Sequence, residues 1–180
     1  MIKMLAGLST IGKAAGLGSA RCGAKPDGIR EQDSGYHKDT DRSLPHRYGL
    51  LGEIAIATIC NIPIDENIYK HGDLYDMNEI EVKSSTREGE DIELKVKCTE
   101  YGKKHPKIYI LVRVNKGVFN RSPDPEEDKK RRTVEVLGFI TAEDFSIKKR
   151  RKNYGHEDNW IVSKGDLVDA TIDKIKTAVL

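Results

Sequence analysis

Cysteine is scarce in this chain: only Cys22, Cys60 and Cys98, odd in number, far apart and never spaced as Cys-x-x-Cys. That pattern indicates neither a disulfide framework nor a zinc ribbon, and it suits a reducing, intracellular setting. Long apolar runs are missing too, so no segment is expected to span a bilayer and no membrane partner is implied. There is no P-loop and no Gly-x-Gly-x-x-Gly to cradle a nucleotide, and no serine or cysteine nucleophile is recognisable. Internal repeats are absent. Nor is there a large excess of either charge: the formal net charge is +2, which excludes a bulk polycation.

The 180 residues suit one domain with ragged ends, long enough for a hydrophobic core. A charged fraction of 33% against 37% hydrophobic predicts that part of the chain is loop or tail. Residues 1–43 read as a flexible N-terminal arm, because glycines and turn chemistry interrupt any sustained period. Targeting by residues 1–20 is the lesser alternative, since Lys13 breaks the apolar stretch and Gly7, Gly12, Gly16 and Gly18 disfavour an amphipathic helix. The folded domain is expected over 44–180. Pro45 suits a first helical turn, and Leu50, Ile54 and Ala57 recur at helical spacing over His46 to Cys60, with Pro63 as the stop.

Strands are predicted over Asn67–Asp73, Glu79–Ser84, Asp91–Val96 and Lys107–Val114, the last apolar on both faces and therefore central. Asn120–Arg132, with Pro123 and Pro125, reads as a charged loop before another strand at Thr133–Ile140. Thr141 to Asp144 resembles a capping box ahead of a short helix. Trp160–Val162 reads as a strand, with Trp160 assigned to core packing rather than base stacking, and Asp166–Val179 as a small helix or tail. A strand meander with helices around it predicts an α/β fold, a mixed sheet with a helix on at least one face.

The densest chemistry lies in Gly72 to Lys83. Glu81 and Lys83 bracket Val82, so on a strand they share one face while Ile80 and Val82 share the other. A three-residue loop at Asp76-Met77-Asn78 would set Asp73 opposite Glu81, and asparagine tolerates the left-handed residue such loops need. Facing carboxylates repel unless a cation lies between them. Asp73, Glu81 and the backbone carbonyl of Val82 offer oxygen ligands of the kind Mg²⁺ takes. Lys83 would then act on the attacking water and on a scissile phosphate. Glu53, on the apolar helix after Gly49 and Gly52, is placed to orient a water or assist a second metal. An EF-hand over Asp73, Asp76, Asn78 and Glu81 fails on ligand spacing and on the missing glycine at the loop's sixth position.

Gly52-Glu53 on a helix, Gly72-Asp73, then Glu81-Val82-Lys83 resembles the PD-(D/E)XK nuclease superfamily over roughly residues 46–115, and more loosely to about 165. Val136–Ile140, Trp160–Val162 and Leu167 are similar to its small phage and prokaryotic members. The resemblance implies a restriction-endonuclease-like mixed sheet flanked by helices, and Mg²⁺ or Mn²⁺ as cofactor. It also implies Asp73 and Glu81 as ligands, Lys83 as catalytic lysine and Glu53 as the helix acid. Glycine at 72 stands where the family has proline, and the Gln/Tyr motif of some exonuclease members is not found.

Lys129-Lys130-Arg131-Arg132 and Lys148-Lys149-Arg150-Arg151-Lys152 are basic runs. Either alone reads as a solvated loop; two beside a metal-type site point to phosphate contact. The reading that follows is a metal-dependent nuclease acting on DNA, with RNA as substrate and a homodimer both compatible. Its rivals are a non-catalytic nucleic-acid-binding module and a protein-interaction module on the same fold.

Overall fold

The computed structural model describes residues 2–23, 43–63, 79–101, 103, 106–155 and 157–179. The chain opens with strand β1 (Ile2–Leu5) and helix α1 (Leu8–Gly23), followed by α2 (Leu44–Cys60). Strands β2 (Ile80–Ser85) and β3 (Glu93–Lys97) precede the four-residue α3 (Cys98–Tyr101) and strand β4 (Ile108–Val114). Then come α4 (Pro125–Arg131), β5 (Thr133–Thr141), α5 (Ala142–Lys148), β6 (Arg150–Asn153), β7 (Asp158–Ser163), a 3-10 turn and α6 (Ile172–Val179).

Two sheets form. The first has the order β1-β5-β4-β2, with β2 parallel to β4 and the other pairs antiparallel; the second is antiparallel, β3-β7-β6. Helices lie against one face of the first sheet. Leu50, Ile54 and Ala57 of α2 pack there with Ile80, Val82, Ile108, Ile110 and Val112. The second sheet and α5 lie against the other face, where Leu94, Val96, Val162 and Phe145 meet Tyr109, Leu111 and Ile140. The first sheet is thus the middle layer, and β4 is buried on both sides, as its apolar run predicts. The mixed α/β architecture stands.

Helix α2 matches its sequence signals. Pro45 occupies its first turn, and Asn61 ends it in the left-handed conformation at φ 57°. The amides of Asn61 and Ile62 donate back to Thr58 and Ala57, closing a Schellman end. The cap before α5 also forms as expected, with Thr141 Oγ1 accepting from the Asp144 amide.

Several expectations are corrected. Within residues 1–43, Ile2–Leu5 and Leu8–Gly23 are not a loose arm: β1 pairs with β5, and α1 packs along α2. The glycines that disfavour an isolated helix allow this contact. A Cβ at Gly18 would sit 2.7 Å from the Arg47 Cα, so only glycine lets the two helices approach so closely. The charged loop at Asn120–Arg132 contains α4, started by Pro125 and capped by Asp124, whose carboxylate accepts from the amides of Glu126 and Glu127. The meander is also broken: β3 does not join β2 and β4 but crosses to pair with β7. The basic run at 148–152 supplies a strand, β6, that no alternation announces, because all four of its residues are exposed. The expected strand at Asn67–Asp73 lies outside the described residues.

Candidate active site

Strand β2 lies at one end of its sheet among the described residues, with β4 its parallel neighbour. Its alternation is the expected one. Ile80 and Val82 enter the core under α2, while Glu81 and Lys83 lie beside Tyr109 and Leu111, which belong to the core on the opposite face. Glu81 is 2% exposed, and its carboxylate accepts from the Lys83 ammonium at 2.6 Å. Burying such a pair is expensive in a sheet that could have placed apolar residues there.

A second acid reaches the same lysine. Glu100, on α3, comes within 3.6 Å of Lys83 Nζ, so the ammonium stands between two carboxylates. Glu100 stands 17 residues beyond Lys83 in the chain. It reaches Lys83 through the packing of the two sheets, and no periodicity carries that information. Below Glu81, Tyr109 stacks on Phe145 with ring centroids 4.5 Å apart. Burial above all, then Tyr101 and the Glu81 charge, push the Tyr109 phenol up to about 12, with Lys83 opposing them. The floor of the site is therefore aromatic and holds a neutral phenol.

Glu53 is buried at 7% exposure on α2. The helix that carries it lies very close to β2. Ser84 Oγ reaches the Gly49 carbonyl at 3.5 Å, and a Cβ at Gly52 would sit 2.2 Å from Ser84 Oγ and 2.7 Å from Val112 Cγ2. Glu53 follows Gly52 and stands four residues after Gly49, so it belongs to the helix stripe nearest β2. It approaches β2 from the helix side, while Glu81 and Lys83 project from the other. Convergence on one ligand would have to occur around the side of β2 away from β4.

The structure thus brings Glu81, Val82 and Lys83 together and adds Glu100. Asp73 and the hairpin register that would pair it with Glu81 lie outside the described residues. Among the described residues, no three His, Cys, Asp or Glu side chains group as metal ligands. The donors present, a carboxylate and a backbone carbonyl, have the oxygen chemistry that Mg²⁺ prefers. With Asp73 they would suit that ion, and its charge would share Glu81 with Lys83.

The two basic runs separate. Lys129, Lys130 and Arg131 end α4, and Arg132 follows; this run leads into β5 beside Val114, at the opposite end of β4 from Tyr109. Five strand residues put it roughly 17 Å along the sheet from Glu81. Arg131 pairs with Glu127 and Arg132 with Asp128. The second run is nearer the site. Lys149 Nζ sits 3.8 Å over the Tyr101 ring and 4.9 Å over Trp160, and Tyr101 adjoins Glu100 on α3. Lys148 donates to the Asp166 carbonyl, while Arg150, Arg151 and Lys152 lie at and along β6.

Compared with known proteins, the chain matches no family model, no curated protein and no solved structure. Among the described residues, no helix is long and apolar enough to cross a membrane.

Proposed function

We infer that this chain is a metal-dependent nuclease that hydrolyses phosphodiester bonds in DNA, on a restriction-endonuclease-like fold of the PD-(D/E)XK type. One observation carries the reading: a carboxylate 2% exposed, held at 2.6 Å by a lysine two residues on, on the strand that ends a mixed sheet among the described residues. An ion pair there spends stability that an apolar pair would keep, and an active site is where such a cost is repaid.

Glu81, Asp73 and the Val82 carbonyl would hold Mg²⁺, or Mn²⁺ in its place. When bound, the cation supplies a Lewis acid for the phosphoryl oxygen and a more acidic water. The chain's own residues do the rest. Lys83 offers a fixed positive charge where charge builds on the phosphate. Glu81 sets the direction of that ammonium, and Glu100 steadies it from α3. Glu53 assists from the helix side by orienting water. Tyr109, the strand neighbour of Glu81, stacks with Phe145 as an aromatic floor to the site.

A second reading, a non-catalytic nucleic-acid-binding module, is favoured by the close pairing of Lys83 with Glu81, which satisfies both charges without a metal. Cleavage decides between them. Labelled single-stranded, duplex and branched DNAs and an RNA are incubated with Mg²⁺ or Mn²⁺, beside Asp73→Ala and Lys83→Ala. Cleavage that disappears in both variants and with chelator is expected. Intact substrates with folded wild-type protein and either metal would overturn the nuclease reading.

A further inference from the structure

We propose that the outer face of the β3-β7-β6 sheet docks the phosphate backbone of a nucleic acid. The proposal takes a nucleic-acid partner from the functional reading above but does not depend on catalysis.

Strand register builds this face. Ile92, Leu94 and Val96 turn inward to the core, so Glu93, Lys95 and Lys97 turn outward. Lys95 is opposite Ile161, and Ile161 is opposite Arg150; Lys97 is opposite Asn159, and Asn159 is opposite Lys152. Each row thus places a cation from β3 and a cation from β6 on either side of the central strand, roughly 10 Å apart at the usual strand spacing. Side-chain contacts agree. Arg150 donates to Ser163 Oγ at 2.6 Å, and Lys95 and Lys152 both lie over the Tyr154 ring, at 3.7 and 5.1 Å.

Among the described residues, the acids on this face are fewer than its cations. Glu93 pairs with Lys152 at 2.9 Å and also accepts from the Tyr154 hydroxyl, while Glu157 pairs with Lys97 at 3.1 Å. Glu93 is only 15% exposed, so it anchors Lys152 from beneath. Burial, then the Arg87 charge, with Lys152 a smaller contributor, lower the Lys95 ammonium below the ordinary lysine value even though Glu93 opposes them. The Lys152 ammonium is instead raised, chiefly by its hydrogen bond to Glu93. Cations set along the two outer strands of the sheet present a positive track to an external anion. A row of phosphates supplies several at once, and their counterions are released on binding.

Two further features define the face. Arg151 points the other way in β6, opposite Trp160, and is held by Asp158, so only alternate residues of the basic run belong to it. The first basic run does not share its character. Lys129 to Arg132 follow Glu126, Glu127 and Asp128 on α4, acids in the first turn and bases in the last, as the helix dipole favours. That run is locally neutralised and serves its own helix.

The test is binding without metal, so that chemistry is silent. Fluorescence anisotropy of a labelled mixed-sequence duplex is followed in EDTA from 50 to 200 mM salt. Wild type is compared with Lys95→Gln/Lys97→Gln/Arg150→Gln and with Lys129→Gln/Lys130→Gln, each checked by circular dichroism. The sheet variant is expected to lose roughly 10-fold or more in affinity and to flatten the salt slope by about 2 to 3, while the helix variant keeps the wild-type slope. Equal losses in both variants, an unchanged sheet variant, or no binding by wild type would each overturn the proposal. So would displacement of the duplex by polyglutamate at equal charge, which would mark an acidic protein as the partner. Lysine acetylation mapped by mass spectrometry on wild type gives a readout free of substitutions: DNA should protect Lys95 and Lys97 and leave Lys129 and Lys130 reactive. Equal reactivity at all four with and without DNA would reject the assignment. Loss of cleavage with this binding intact would sink only the nuclease reading; loss of this binding with cleavage intact would sink only the docking face.

Discussion

The two faces of β2 use the same six residues for opposite ends. On the helix side, Ile80, Val82 and Ser84 meet α2 so closely that Gly52 has no room for a methyl group. The strand residues there lower the energy of the fold by packing. On the other side, Glu81 and Lys83 place an ion pair where apolar residues would hold better. Side chains one residue apart are thus under different demands, because a strand hands alternate positions to different environments. The apolar face supplies the rigidity that lets the charged face be held in one geometry.

The strongest test of that contrast is on the charged face. Lys83→Met should abolish cleavage, a loss of roughly 100-fold or more, and should also destabilise by about 3 kcal/mol because Glu81 stays buried without its cation. Glu81→Met/Lys83→Met should recover most of that stability while remaining inactive. If urea titration finds the double variant no more stable than the single one, the ion pair is structural and the contrast breaks.

Next in size is the packed face. Gly52→Ala should cost about 2 kcal/mol or more, since its Cβ would stand 2.2 Å from Ser84 Oγ. Adding Ser84→Ala should return part of the loss, and a thermal-denaturation double-mutant cycle reads the coupling. Strict additivity would show that the helix simply moves away.

The pH dependence is smaller. The Tyr109 phenol rises from 10.0 to about 12 in the folded state, so the stability it contributes is whole below pH 10 and is lost as pH climbs toward 12. Tyr109→Phe should flatten the fall in Tm across that window, and an unaltered fall would remove this residue as its cause. Smallest is Thr141→Ala, which uncaps the helix that seats Phe145 and should lower Tm by roughly 2–4 °C, about 1 kcal/mol.

What could be read in advance followed local rules. Helix α2 was legible from Pro45, its apolar period and Pro63; β4 from its unbroken apolar run; the α5 cap from Thr141 and Asp144. The sharing of one face by Glu81 and Lys83 needed only the two-residue period. Features set by distant partners were not legible. Glycines in α1 discouraged a helix that Arg47, on another helix, makes worthwhile. Strand β6 carries no alternation because it is exposed throughout, and β3 looks adjacent to β2 until its pairing with β7 is known. Glu100 joins Lys83 only through the stacking of two sheets. Read as a loop, Asn120–Arg132 gives its acids no fixed partners; only a helix puts Glu127 beside Arg131 and Asp128 beside Arg132.

The antiparallel pairing of Ile2 with Val136 also sets an order of assembly. A ribosome makes β1 well before its partner, an interval of roughly 10 s at ordinary synthesis rates. Helices α1 and α2 can meet during that wait, but the outer edge of the first sheet cannot be sealed. Until it is, the backbone groups of β5 on that side are open to any passing strand. Sealing that edge is therefore a long-range closure, the slow kind that high contact order imposes. An N-terminal truncation should leave the protein prone to pairing edge to edge with itself.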